Sequence, residues 1–179
     1  TSTSLFRVAD DFVMNASGAV DGICWLGSYP GVAPATDDFT ITYWTNSGGL
    51  PGTPIASFDQ SAGGLSVQRA DSGDLDIAGS TMFVYSAKHA PVALSDNVRY
   101  WVEVRNFYGS SWFWQGSTQG NGAWQDSSPA SGWAGSLARP NVSFCVSFLS
   151  GCNLDTNGDG IINFADLNNI VSFFNTNCP

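Results

Sequence analysis

Apolar and polar residues alternate with a period of two along most of the chain up to residue 150. Val98, Tyr100, Val102 and Val104 fall on one side of an extended backbone and Arg99, Trp101, Glu103 and Arg105 on the other, which predicts a strand with one buried face. Phe39, Ile41 and Tyr43 alternate in the same way with Thr40, Thr42 and Trp44. Val142, Phe144, Val146 and Phe148 alternate with Ser143, Cys145 and Ser147 in a final strand. Weaker strand signals cover residues 4–14, with Phe6 and Val8 sharing a face, and Gly18–Tyr29, which carries Ile23, Cys24 and Trp25 and ends at Pro30-Gly31. The turn cluster Gly48-Gly49-Leu50-Pro51-Gly52 leads into a strand over Ile55–Phe58, and Met82–Ser86 forms another before Ala90-Pro91 breaks the chain. Residues 59–80 are polar and glycine-rich and fit either short edge strands or a long loop. Trp112-Phe113-Trp114 and Ala123-Trp124-Gln125 flank a loop holding Asn121-Gly122 and predict a hairpin with a long connection.

Roughly eight to ten strands of this kind, with no helical periodicity before residue 163, predict an all-β domain over residues 1–150. Its expected form is an antiparallel two-sheet β-sandwich, jelly-roll or Ig-like. Beyond Ser150-Gly151, a short hinge, the pattern changes: Leu167, Ile170, Val171 and Phe174 are spaced as one face of a short amphipathic helix. Residues 151–179 are therefore expected to form a second, small module.

Composition agrees with the strand reading. Twenty glycines and eight prolines, with few long helix formers, indicate short strands and tight turns. Six Lys plus Arg against fifteen Asp plus Glu give a formal net charge of -9, which argues against a nucleic-acid partner and makes cations the natural small ligands. No apolar run approaches the length of a membrane span. The opening Thr1-Ser2-Thr3-Ser4 suggests a mature protein whose export signal has been removed, hence an extracellular or cell-surface location. Four cysteines point to an oxidising compartment and allow three pairings. The preferred pairing is Cys152 with Cys178, which bracket the small module, and Cys24 with Cys145, which fall in two predicted strands.

The most specific motif lies in that small module. Asp155, Asn157 and Asp159 place oxygen side chains at alternate positions, and Gly160 allows the turn that brings the Ile161 carbonyl, Asn163 and Asp166 to the same centre. Ca2+ takes six to eight oxygens at roughly 2.3–2.6 Å, and a loop of this form supplies them. The stretch from Cys152 to Leu167, closed by Cys178-Pro179, resembles one calcium-binding repeat of a dockerin, most closely the cysteine-bracketed dockerin-like tails of secreted bacterial proteins. In that family the last ligand is Asp, as Asp166 is here, and a helix follows the loop. Dockerins carry two such repeats in tandem and this chain carries one. The segments Ala9-Asp10-Asp11-Phe12, Gly27-Ser28-Tyr29, Asp37-Asp38-Phe39-Thr40-Ile41 and Gly48-Gly49-Leu50-Pro51-Gly52-Thr53-Pro54 resemble, more loosely, β-sandwich domains found ahead of such tails. This second resemblance implies a fold and an address.

The remaining chemistry is less specific. Asp10-Asp11 and Asp37-Asp38, with Asp21 between them in sequence, could hold a second calcium; the preferred reading is solvated charge at strand edges. His89, the only histidine, lies in a turn context without a nucleophile elbow and is read as a surface or structural residue. Trp112, Trp114, Trp124 and Trp133 sit among Ser, Gly, Asn and Gln and offer a platform for sugar rings, although core packing is expected for most of them. Asn15-Ala16-Ser17 and Asn141-Val142-Ser143 match the N-glycosylation pattern.

The expected function is that of an extracellular, non-enzymatic structural or assembly protein. It would self-associate or bind a cell-surface partner, even as a fibre subunit with a docked N-terminal strand. A carbohydrate-binding module is the alternative.

Overall fold

In the computed structural model the described residues are 7–107, 111–117, 122–126, 133, 137–139 and 141–149. The strand with the clearest alternation, β7 (Arg99–Asn106), lies inside a six-stranded antiparallel sheet. On one side it pairs with β1 (Arg7–Val13), which pairs in turn with β9 (Ala123–Asp126), and β9 with β10 (Leu137–Arg139). On the other side it pairs with β3 (Phe39–Ser47), followed by the edge strand β4 (Leu50–Asp59). A second antiparallel sheet runs β11 (Phe144–Leu149), β2 (Gly18–Ser28), β6 (Thr81–Leu94), β5 (Leu65–Leu75), with the two-residue β8 (Phe113–Trp114) paired to the end of β2.

The inner faces of the two sheets share one core. Phe39, Ile41 and Tyr43 of β3 and Tyr100, Val102 and Val104 of β7 meet Val20, Ile23 and Trp25 of β2 and Tyr85 and Ala87 of β6. The sheets are joined by aromatic contacts: Trp25 stacks on Tyr85 at 5.3 Å between centroids, and Phe39 stands edge-on to both at 5.1 and 5.0 Å. Such pairs contribute about 0.5–1.5 kcal/mol each beyond the area they bury.

Several elements differ from the sequence reading. Ala90-Pro91 does not break the chain: β6 runs through it, because three residues, 89 to 91, stand opposite Asp21 alone between the pairs Val20↔Val92 and Gly22↔Lys88. Pro91 lies in that irregularity, where a missing N–H is tolerated. Residues 59–80 hold an 11-residue edge strand, β5, and β4 begins at Leu50 rather than near Ile55. The expected hairpin between residues 112–114 and 123–125 is not formed, since β8 pairs with β2 in one sheet and β9 with β1 in the other. From Arg7 onward the N-terminal strand is internal to its own sheet. The expected calcium module, residues 151–179, lies outside the described residues.

The outer face of the six-stranded sheet is also covered. Ala9, Trp101 and Trp133 are buried there, with Trp44, Leu50 and Trp124 packed around them. The polar side of β7 expected from alternation is thus a second, smaller core.

Candidate binding cleft

At one end of the outer face the β3–β4 hairpin closes through Gly48 and Gly49, at φ 61° and 85°, between the paired residues Ser47 and Leu50. Positive φ at both central residues is the requirement of a type I′ turn, which matches the twist of the flanking strands. Two irregularities follow. One step on β3, from Tyr43 to Trp44, opposes two on β4, from Ala56 to Pro54, and two steps, Trp44 to Asn46, oppose three, Pro54 to Pro51. Extra residues bend a strand, and here the Thr45 hydroxyl fills one bend by accepting the Thr53 N–H at 3.0 Å. The result is a cleft of about 540 Å³ lined by Asn46, Ser47, Leu50, Pro51, Thr53 and Trp133, among others.

The base of this region is a layered polar and aromatic cluster. Trp133 stands edge-on to Trp44 at 6.1 Å, and the Arg7 guanidinium lies 4.6 Å over the Trp133 ring. Glu103, 2% exposed, accepts a hydrogen bond from Trp44 Nε1 at 3.1 Å and lies 4.0 Å from Arg7 and 3.6 Å from Arg105. Trp101 donates its Nε1–H to Asn46 Oδ1 at 3.0 Å. Fixing Oδ1 on a buried indole orients an otherwise exposed amide, and Asn46 Nδ2 has no partner among the described residues. Among the described residues, every side chain lining the cleft is uncharged, on a protein of net charge -9.

The four candidate tryptophans do not make one platform. Trp112 packs into the shared core against Phe39 at 5.2 Å and Tyr85 at 6.3 Å, over Gly27, where a Cβ would lie 2.5 Å from the indole. Trp114 packs on Phe144 and donates its Nε1–H to the Ser143 carbonyl at 3.0 Å. Trp124 belongs to the outer cluster, and Trp133 alone of the four lines the cleft. Asn46, Ser47 and Thr53 were not singled out by sequence; the paired glycines beside them were the available signal.

Three of the four paired acids, Asp10, Asp11 and Asp37, make structural contacts rather than standing as solvated edge charges. Asp10, 3% exposed on an internal strand, accepts the Asp11 N–H and the Val142 N–H, each at 2.9 Å, and burial pushes its carboxyl above the ordinary 3.8. Asp11 pairs with Arg99 at 3.2 Å. Asp37 pairs with Arg69 at 3.1 Å and accepts the Tyr29 hydroxyl, which also meets Asn106. These contacts engage the two pairs separately, and no cluster of three or more His, Cys, Asp or Glu suited to a metal ion occurs among the described residues.

His89 is inward-facing. It stacks on Phe58 at 4.3 Å, and its Nδ1–H donates to the Ala90 carbonyl at 2.8 Å. Nε2 therefore accepts from the Tyr43 hydroxyl at 2.9 Å, and burial holds the imidazole below its ordinary 6.5. Of the two glycosylation patterns, Asn141 is buried with its Oδ1 taken by the Gly122 N–H, whereas Asn15 is exposed in the β1–β2 turn.

Cys24 and Cys145 form a disulfide, Cα to Cα 5.0 Å, between directly paired residues of β2 and β11. Cys152, Cys178 and the calcium-ligand candidates Asp155, Asn157, Asp159, Ile161, Asn163 and Asp166 lie outside the described residues. No described helix is long and apolar enough to cross a membrane. Compared with protein-family models, curated proteins and solved structures, the chain matches none.

Proposed function

We propose that the chain is an extracellular, non-enzymatic structural subunit. In this reading a β-sandwich over residues 1–150 carries a tail, residues 151–179, that takes up one Ca2+ through Asp155, Asn157, Asp159, the Ile161 carbonyl, Asn163 and Asp166. The loaded tail docks on another copy of the chain or on a cell-surface partner. The supporting observation is the Cys24–Cys145 disulfide. Cross-links of this kind persist in oxidising compartments. This one also fixes β11, the strand that leads into the tail, to the interior strand β2. The single histidine is occupied by Tyr43, Phe58 and Ala90, which fits a scaffold better than a hydrolase.

Without metal, the carboxylates of the loop repel one another, so removing calcium should loosen the tail and whatever it holds. Light scattering on the full chain with calcium and with a chelator tests this reading. Assembly that forms in calcium and reverses in chelator is the expected outcome, and a monomer of unchanged size under both conditions would sink it. Asp159→Ala should lower calcium affinity while the unfolding of residues 7–149 stays in place.

A further inference from the structure

We propose that the cleft at the β3–β4 hairpin is a subsite for a neutral saccharide, a binding function independent of calcium-dependent assembly. Its volume, about 540 Å³, falls within the roughly 300–1,000 Å³ of small-molecule sites. Its walls are of two kinds. The half-buried Leu50 supplies apolar surface for the C–H face of a sugar ring, backed by the buried Pro51 and Trp133, while the exposed Asn46, Ser47 and Thr53 supply amide and hydroxyl groups for its hydroxyls.

Charge decides between ligand classes. Among the described residues the lining offers no counter-charge, so a phosphate, a uronate or a cationic peptide would lose hydration there without compensation. A neutral polyol loses only hydrogen bonds to water, which the lining can replace. An extended peptide would be expected to add to the edge strand β4, but Pro51 and Pro54 remove two N–H donors from that strand. The donors offered to a sugar are also held in place. Asn46 is oriented by the buried Trp101 indole, and the hairpin is pinned by hydrogen bonds between Thr45 and Thr53, so little ordering remains to be done on binding.

The test is a titration of the isotope-labelled full chain, in calcium, with cellohexaose, mannohexaose and xylohexaose, followed by amide and indole N–H shifts. Hexagalacturonate serves as the charged comparator. At least one neutral hexamer should move the Asn46 side-chain amide and the Gly48 and Gly49 signals. Asn46→Asp keeps the acceptor for Trp101 but removes both Nδ2 donors, and should weaken binding about tenfold. An unshifted Trp114 indole signal, from a hydrogen bond to the Ser143 carbonyl away from the substitution, shows that the variant is folded. Ser47→Ala, in the exposed turn, provides a second variant with a smaller expected loss. The proposal is overturned if no neutral hexamer shifts the hairpin at millimolar concentration, if hexagalacturonate binds more tightly, or if Asn46→Asp binds as well as the wild type.

Discussion

Asp10 Oδ2 accepts the backbone N–H of Val142 across 132 residues of sequence, tying the N-terminal strand to the segment that enters β11. The other oxygen accepts the N–H of Asp11. Asp10→Asn offers one acceptor where two N–H groups need one, and leaving a buried donor unpaired costs about 1–3 kcal/mol. Urea unfolding should show a loss of that size. A change within experimental error would mean that Val142 is held by other contacts.

The single histidine makes a clean proton probe. Because burial lowers its folded value below 6.5, the unfolded chain binds more protons in the window between the two values. The stability that His89 contributes is therefore complete above 6.5 and is lost as pH falls through that window. The imidazole resonance of the folded protein should titrate below 6.5, and His89→Gln should flatten this part of the stability profile. A folded-state midpoint at or above the ordinary value contradicts the inward geometry.

Closing a chain over 121 residues with the Cys24–Cys145 bridge constrains the unfolded state by about 4–5 kcal/mol on the loop-entropy estimate. The double variant Cys24→Ala, Cys145→Ala should lose about 2–5 kcal/mol in equilibrium unfolding. If reduction of the wild type leaves the midpoint where it was, the bridge is not a stabilising element.

Gly27 is required by its neighbour rather than by its backbone angle. A methyl there would sit 2.5 Å from Trp112 Cζ2 and Nε1, so Gly27→Ala must push the indole out of the core. Overpacking of this kind costs about 1–3 kcal/mol, and Trp112→Phe in the same background should recover part of it. Failure of that rescue would place the strain elsewhere.

Strands with one buried and one less buried face were readable because period-two alternation is a local signal: Phe39, Ile41 and Tyr43, like Tyr100, Val102 and Val104, turned inward as their spacing required. Alternation placed Cys24 and Cys145 in strands and so favoured their pairing, but it left three pairings open, and the structure joins these two. What a local pattern does not carry is partner choice. Trp114 and Trp124 read as two arms of one hairpin, yet they enter different sheets. Pro91 reads as a terminator, but a bulge accommodates it. Glu103 and Trp101 read as a solvent face, whereas Arg7 and Trp133, contributed by distant segments, cover them. The cleft was least visible, since Asn46 and Ser47 become a pair of oriented groups only through the bends in β4 and the indole of Trp101.

The cross-link between β2 and β11 has a mechanical consequence. A pull on Leu149 directed away from β2 would open the β11–β2 ladder one hydrogen bond at a time, the weakest way to load paired strands. Peeling can release Leu149, Phe148, Ser147 and Val146, but at Cys145 the force meets a covalent bond to Cys24 and passes into an interior strand. Phe144, the Asp10–Val142 contact and the core behind them stay out of the load path. Residues 146–149 can thus yield without the body coming undone.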